Sequence, residues 1–261
     1  MSAPISWRGG GPRVLVLVLG CRDDPYPMLI ETIKATWASI DVEGVDVVFY
    51  YGGTERAAAG RDVFLPVPDD LAHVGDKTLT AFEYALEHRE FDVLFRTNCS
   101  SYVDLHNLLA FVKARGRRSG FYAGLVGGHA GTRFASGSGY FLSRDLVDLA
   151  VSRRAEYDRT LLDDVALGSL LEAAGVKPEP TPRRDYASPR DVEEVDLSQF
   201  HFRCRTSSPA RVDDARIMLE LHRAFCSSRG LGTFASRPRA RTLETLGAAW
   251  TRLRLRAGSA R

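Results

Sequence analysis

The chain has 261 residues, 44% hydrophobic and 26% charged, with a formal net charge of +2. That is enough for one large domain with a sizeable core, and the near-balanced charge excludes a whole-molecule nucleic-acid binder. The charge is uneven, however: residues 235–261 hold seven arginines against a single acid, Glu244, so the tail is a separate basic feature.

Four cysteines stand at 21, 99, 204 and 226 with no CxxC pair, a pattern that suggests neither a structural zinc site nor a disulfide framework. Residues 1–12 are rich in Gly and Pro and lack the charged start and longer apolar stretch of a secretory signal. The strongest apolar run, Val14 to Leu19, is too short to span a bilayer. The expectation is a cytoplasmic protein with reduced thiols, organised as a flexible lead (1–12), a body (13–230) and a basic tail (231–261).

Val14 to Leu19 reads as a strand buried on both faces, as in the middle of a mostly parallel sheet. Gly20-Cys21-Arg22-Asp23-Asp24-Pro25 ends it, and Ile30, Ile33, Trp37 and Ile40 then repeat at helical spacing. Val45 to Tyr51 is a second strand, closed by Gly52-Gly53; this β-α-β order opens a parallel α/β sheet. A helix follows over about 76–89, then a strand at Phe91–Arg96, a polar break at Thr97–Ser101, and a helix marked by Leu105, Leu108, Leu109 and Val112. Phe121 to Leu125 is another strand. Ser136-Gly137-Ser138-Gly139 reads as a turn leading into a strand at Tyr140–Ser143, with Ser143 capping the helix from Arg144.

Thr160-Leu-Leu-Asp163 fits a capping box for a helix reaching about Ala174, with Gly175 at C′ and Pro178 beyond. Residues 178–190 read as a loop, Phe200 to Arg205 as a half-buried strand, and 212–226 as a helix. In the tail, Leu243, Leu246, Trp250 and Leu253 repeat at helical spacing among arginines. That pattern suits peripheral contact with an acidic membrane surface. The fold class is α/β: a mostly parallel twisted sheet flanked by helices.

In open α/β sheets ligands gather at the carboxyl ends of the strands. Here those ends carry Gly20-Cys-Arg-Asp, Gly52-Gly53 and Thr97-Asn-Cys-Ser-Ser101. None is a GxGxxG or GxxxxGK[ST] phosphate loop, so nicotinamide and ATP-type sites are disfavoured.

The order of these segments resembles the fringe and β-1,3-galactosyltransferase-like families, which have the GT-A fold. The resemblance rests on Glu31-Thr-Ile-Lys-Ala-Thr-Trp37, Ser136-Gly-Ser-Gly-Tyr-Phe-Leu-Ser-Arg144, Leu162-Asp-Asp-Val165 and Phe200-His-Phe-Arg203. It covers about Val14 to Arg205. It implies a glycosyltransferase that moves a sugar from a nucleotide sugar, expected to be a UDP-sugar, to a hydroxyl of a glycan or glycolipid acceptor, with inversion. The family's aspartate triplet should fall at Asn98-Cys99-Ser100, where both carboxylates are replaced. Asn and Ser oxygens bind hard cations poorly compared with carboxylates, which argues against Mn2+ or Mg2+. If a metal is used, the resemblance makes Ser100 and His201 its ligands.

The resemblance also implies that Asp164, second of the acidic pair, is the general base that takes the acceptor's proton. Asp163 favours the helix dipole and the acceptor pocket, with Ser136, Gly137, Ser138 and Gly139. The donor contacts would be Cys21, Arg22 and Asp24 after the first strand, with Asn98, Ser100 and His201. Arg203 and Arg205 share a strand face with His201. With Arg96 and Lys77 they would replace the metal's charge on the diphosphate. Cys99 reads as a buried small residue. A different reading is an inactive fold of this kind that binds a glycan or a partner, and a third is an unrelated α/β transferase using another nucleotide.

Overall fold

The computed structural model describes residues 11–117 and 119–231. The expected tail helix and most of the N-terminal lead lie outside the described residues. Chain order runs β1 (Val14–Leu19), α1 (Tyr26–Ala35), β2 (Val45–Gly52), β3 (Ala57–Ala59), β4 (Asp62–Leu65), α2 (Val74–His88), β5 (Val93–Asn98), β6 (Ser101–Val103) and α3 (Leu105–Arg115). It continues with β7 (Tyr122–His129), β8 (Thr132–Ser143), α4 (Arg144–Ser152), α5 (Asp163–Ala173), β9 (Glu179–Pro180), β10 (Arg184–Tyr186), β11 (His201–Cys204) and α6 (Val212–Ser228).

Eight strands form one sheet in the order β3-β4-β2-β1-β5-β8-β7-β9, and β10-β11-β6 form a second. The β4-β2-β1-β5 core of the large sheet is parallel, whereas β8 runs antiparallel to both β5 and β7. The α/β class is therefore present as read, with an antiparallel half added.

β1 shows why so plain a run of residues sits at the centre. Both of its edges are paired, to β2 and β5, and its side chains alternate between two cores. Val14, Val16 and Val18 join α1, α3, α6 and the small sheet, whereas Leu15 and Leu17 join α2, α4 and α5 on the other face. Each large side chain fully buried in this way contributes about 1.5–3 kcal/mol. Trp37, 1% exposed, adds a specific tie: its Nε1 donates to Ser101 O at 3.1 Å, fixing the start of β6 against the end of α1.

Four local expectations need correction. Ser136–Gly139 is not a turn but lies within the twelve-residue β8; at Gly139 the His201 and Phe95 side chains leave no room for a Cβ. The Thr160 capping box does not form. Leu162 is the N-cap residue of α5, without a side-chain cap, and Thr160 Oγ1 instead donates to Asp158 at 2.6 Å. Ser143 sits at the N-cap of α4 but gives it no hydrogen bond; its Oγ accepts from Phe121 N at 2.9 Å. The expected loop at 178–190 contains β9 and β10, each too short to show a periodic pattern. Gly175 is where expected, with the left-handed φ of +80° that ends α5.

Candidate functional site

The parallel registers bring Leu19, Tyr50 and Asn98 level, so the ends of β1, β2 and β5 open on one edge of the sheet. β8 arrives antiparallel, with Thr97 opposite Gly139 and Arg96 opposite Tyr140. Residues 136–138 therefore project past the end of β5, over that same edge.

The Gly137 peptide is the centre of the arrangement. Its N–H donates to Asp164 Oδ2 at 2.7 Å. Its carbonyl accepts from the Arg96 guanidinium and, at 3.5 Å, from Asn98 Nδ2. Asn98 Oδ1 in turn accepts from Ser100 N at 3.0 Å. The end of β5, through Arg96 and Asn98, and Asp164 at the start of α5 thus meet at Gly137. A Cβ on Gly137 would lie 3.2 Å from Arg96 Nη1 and 3.3 Å from Asp164 Oδ2, so a larger residue would require both side chains to shift by a few tenths of an ångström. The signal was the glycine itself.

The two adjacent acids differ. Asp163 pairs with Arg96 at 2.8 Å, and its carbonyl accepts from Tyr157 OH at 2.8 Å. Among the described residues Asp164 has no cationic partner in hydrogen-bond range; its oxygens accept from Gly137 N and, at 3.0 Å, from Val165 N. Burial raises its pKa above the usual carboxylate range, Asp163 adds to the rise, and the Gly137 hydrogen bond and Arg96 oppose it. Each carboxylate oxygen has a second lone pair, so Asp164 keeps acceptor capacity for a proton.

Arg96 and Lys77 do not face outward. Arg96 is 1% exposed and donates to Tyr50 OH at 3.0 Å as well as to Gly137 and Asp163. Burial works against its charge, but Tyr50 and Asp163 outweigh that and hold its pKa above the ordinary arginine value. Lys77 is 2% exposed and donates to Asp69 Oδ1 at 2.5 Å and Gly20 O at 3.3 Å. Asp69, missed in the sequence, also accepts from Gly52 N at 3.0 Å and Arg22 N at 2.9 Å. One carboxylate therefore binds together the ends of β1 and β2 and the first turns of α2.

Cys21 and Arg22 line an open pocket of about 190 Å³ with Pro27, Ile30, Glu31 and Tyr51. Asp24 is exposed and does not line it. All four cysteines are free thiols. Cys99 is buried, and burial pushes its thiol up to about 11, consistent with a packing role rather than a nucleophile.

His201 is 2% exposed. Its Nε2 lies 3.2 Å from Ser101 Oγ, and its ring packs edge-on against Phe95. Burial, with help from Arg183, pushes its pKa down to about 3, so the ring is neutral at working pH. It lies under Gly139, where an added Cβ would stand 2.8 Å from both His201 Nδ1 and Phe95 Cζ. Because Phe95 and His201 are both enclosed, Gly139→Ala is expected to destabilise by about 1–3 kcal/mol through overpacking, measurable as a lower midpoint in urea unfolding. An unchanged midpoint would show that the ring moves freely.

Two further arginines were not read from the sequence. Arg183, whose side chain is 5% exposed, donates to Ser136 Oγ at 3.2 Å and to Ser138 Oγ, and holds Asp185 through two nitrogens. Arg211, 4% exposed, donates to Ser100 Oγ at 2.7 Å and to Asp214. Neither carries a sequence signal, since one lies in an irregular segment and the other just before a helix. Among the described residues, no three His, Cys, Asp or Glu side chains come together as a cation site, and no helix is long and apolar enough to cross a membrane.

Neither a protein-family model nor a curated protein matches this sequence. Solved structures do. A glycosyltransferase involved in the glycosylation of the major capsid of PBCV-1 aligns over 78% of this chain and 99% of its own, at 11% identity and a TM-score of 0.52. The mannosyltransferase PcManGT from Pyrobaculum calidifontis, solved with GDP-Man and Mn2+, aligns at 14% identity and a TM-score of 0.43. It covers 66% of this chain, which spans about half (55%) of that protein's length. The first likeness establishes that this chain has the fold of a glycosyltransferase, built on a mixed sheet flanked by helices.

Proposed function

We propose that the chain is a nucleotide-sugar-dependent glycosyltransferase of the fringe-like kind, using a UDP-sugar and inverting the anomeric centre. The observation that carries this reading is the meeting of Asn98, Arg96 and Asp164 on the Gly137 peptide at the carboxyl edge of the sheet. Asp164 is the candidate general base. In a single displacement the acceptor hydroxyl attacks the anomeric carbon as the bond to the diphosphate oxygen breaks. The hydroxyl proton passes to Asp164, and the nucleoside diphosphate leaves with the bonding pair. The pocket beside Cys21 and Arg22 is the proposed seat of the nucleobase, and Ser136 to Gly139 form one wall of the sugar site. Asp163 supports this wall through Arg96. An acceptor glycan or glycolipid enters from the exposed side of Asp164.

Tritium-labelled UDP-sugars supply the direct test: the expected result is transfer to an acceptor, or slow hydrolysis to free sugar. A parallel thermal-shift panel of UDP-, GDP- and CMP-sugars should raise the unfolding temperature with the UDP compound, because a ligand for the native state adds to apparent stability. A shift with GDP- or CMP-sugars alone would replace the donor. Binding without any turnover would favour an inactive, glycan-binding version of the fold.

A further inference from the structure

The resemblance to fringe-like enzymes implies a divalent cation at the turn after β5, and the residues present there do not fit one. Asn98 Oδ1 already accepts from Ser100 N. Ser100 Oγ accepts from the Arg211 guanidinium at 2.7 Å, so a cation bound to that oxygen would face a fixed positive charge. His201 is closed in against Ser101 and Phe95.

What surrounds the turn is a set of guanidinium groups. β11 pairs with β6 so that Arg203 stands opposite Ser101. Arg203 reaches Asp185 only at 3.9 Å, because Arg183 holds that carboxylate at 2.6 and 2.8 Å. The enclosed Nε of Arg203 meets no acceptor among the described residues. Arg205 is exposed beyond the strand end. Arg211 is held by Asp214, which also accepts from Thr206 N and Oγ1 at 2.7 Å each. Among the described residues, three of these guanidinium groups share two carboxylates, Asp185 and Asp214, and the Arg205 guanidinium donates only to Thr206 O at 3.2 Å. The imbalance registers on Arg203: burial first, then Arg183, lowers its pKa below the ordinary arginine value, with Arg205 and Arg211 adding to the effect and Asp185 opposing it.

We infer that this cluster, Arg203 and Arg205 backed by Arg183 and Arg211, is a metal-independent site for the diphosphate of the donor, with Arg211 standing where the cation would. The inference rests on the donor reading above. It differs from the charge replacement expected from sequence, because Lys77 and Arg96 are internal ties and Arg183 and Arg211 take their place. Guanidinium groups suit a diphosphate because each presents a planar fork of donors that matches phosphate oxygens. On departure, the leaving diphosphate's negative charge develops against a surplus of positive charge already in place.

The test is calorimetric titration of UDP into the full chain, in EDTA and again with Mn2+. Saturable binding in EDTA, with little change on adding Mn2+, is the expected result. Arg203→Gln and Arg205→Gln, both on partly or fully exposed side chains, should each weaken UDP binding about tenfold and leave the unfolding midpoint unchanged. Ser100→Asp should also weaken binding in EDTA, since the new carboxylate would pair with Arg211, and should not create a Mn2+ requirement. Binding that needs Mn2+, in the native chain or in Ser100→Asp, overturns the inference while leaving the transferase reading intact. Failure of UDP, GDP and CMP to bind under either condition removes the transferase reading itself.

Discussion

Replacing Asp164 by Asn is expected to lower turnover of a UDP-sugar by about 10²- to 10⁴-fold, the usual contribution of a positioned general base, while UDP affinity stays within a few-fold of the native chain. The substitution keeps the shape and an oxygen that can accept from Gly137 N, so the wall formed by residues 136–139 should persist. The pH dependence follows from the environment of the same carboxyl. Asp164 must be ionised to accept a proton, and burial raises its pKa. Turnover should therefore fall with decreasing pH along a limb that lies above the ordinary carboxylate range. For stability the sign is the reverse of the usual paired acid. With a folded pKa above its unfolded value, ionising Asp164 opposes folding, and the loss grows as pH rises from the unfolded pKa through the folded one. Asp164→Asn removes that penalty, so its stability should differ from native by about 1 kcal/mol or less. A variant that folds normally and retains native turnover would remove Asp164 from the chemistry.

Replacing the neighbouring Asp163 by Asn should have the opposite profile, with a large effect on stability. Arg96 is 1% exposed, and Asp163 is its carboxylate partner at 2.8 Å. Breaking a buried pair from one side leaves a charge in a poorly solvated site, at a cost of about 3–5 kcal/mol. The Asp163 side chain is 23% exposed, so the lower end, about 3 kcal/mol, is expected. In a body of this size that corresponds to a fall in unfolding temperature of roughly 6–12 °C. Because Arg96 also holds the Gly137 carbonyl, some turnover should be lost too, recoverable by assaying at a temperature where the variant is fully folded. Two adjacent aspartates thus separate by readout: Asp163→Asn acts on the unfolding midpoint and Asp164→Asn on turnover. Equal stability of Asp163→Asn and the native chain would mean that Arg96 does not depend on this carboxylate.

The sequence revealed the framework where its side chains obey one clear period. The run from Val14 to Leu19 is apolar on both faces because both faces are covered, and among the described residues the helices read from apolar stripes are present near their expected places. It misled where a local signal had a long-range cause. Ser136-Gly137-Ser138-Gly139 looks like a turn because small residues usually mark one. In the fold they lie in a long strand, with Arg96 and Asp164 close to Gly137 and His201 against Gly139. Ser143 and Thr160 sit where caps belong, yet their hydroxyls are engaged elsewhere. Asp69 and Arg211 could not be seen at all. Their importance comes from what they meet across the chain, Gly52 and Lys77 for one and Ser100 for the other, and neither lies in a periodic element. That Ser100 would meet a guanidinium was not legible either, because Arg211 comes from more than a hundred residues away.

The most direct measurement is a crystal structure of the chain soaked with UDP in the absence of divalent metal. The account predicts the diphosphate between the Asn98–Ser101 turn and Arg203, with the uracil beside Cys21 and Arg22 and the terminal phosphate oxygens pointing toward Gly137 and Asp164. Nucleotide bound on another face of the molecule, or a diphosphate turned away from Asp164, would contradict it.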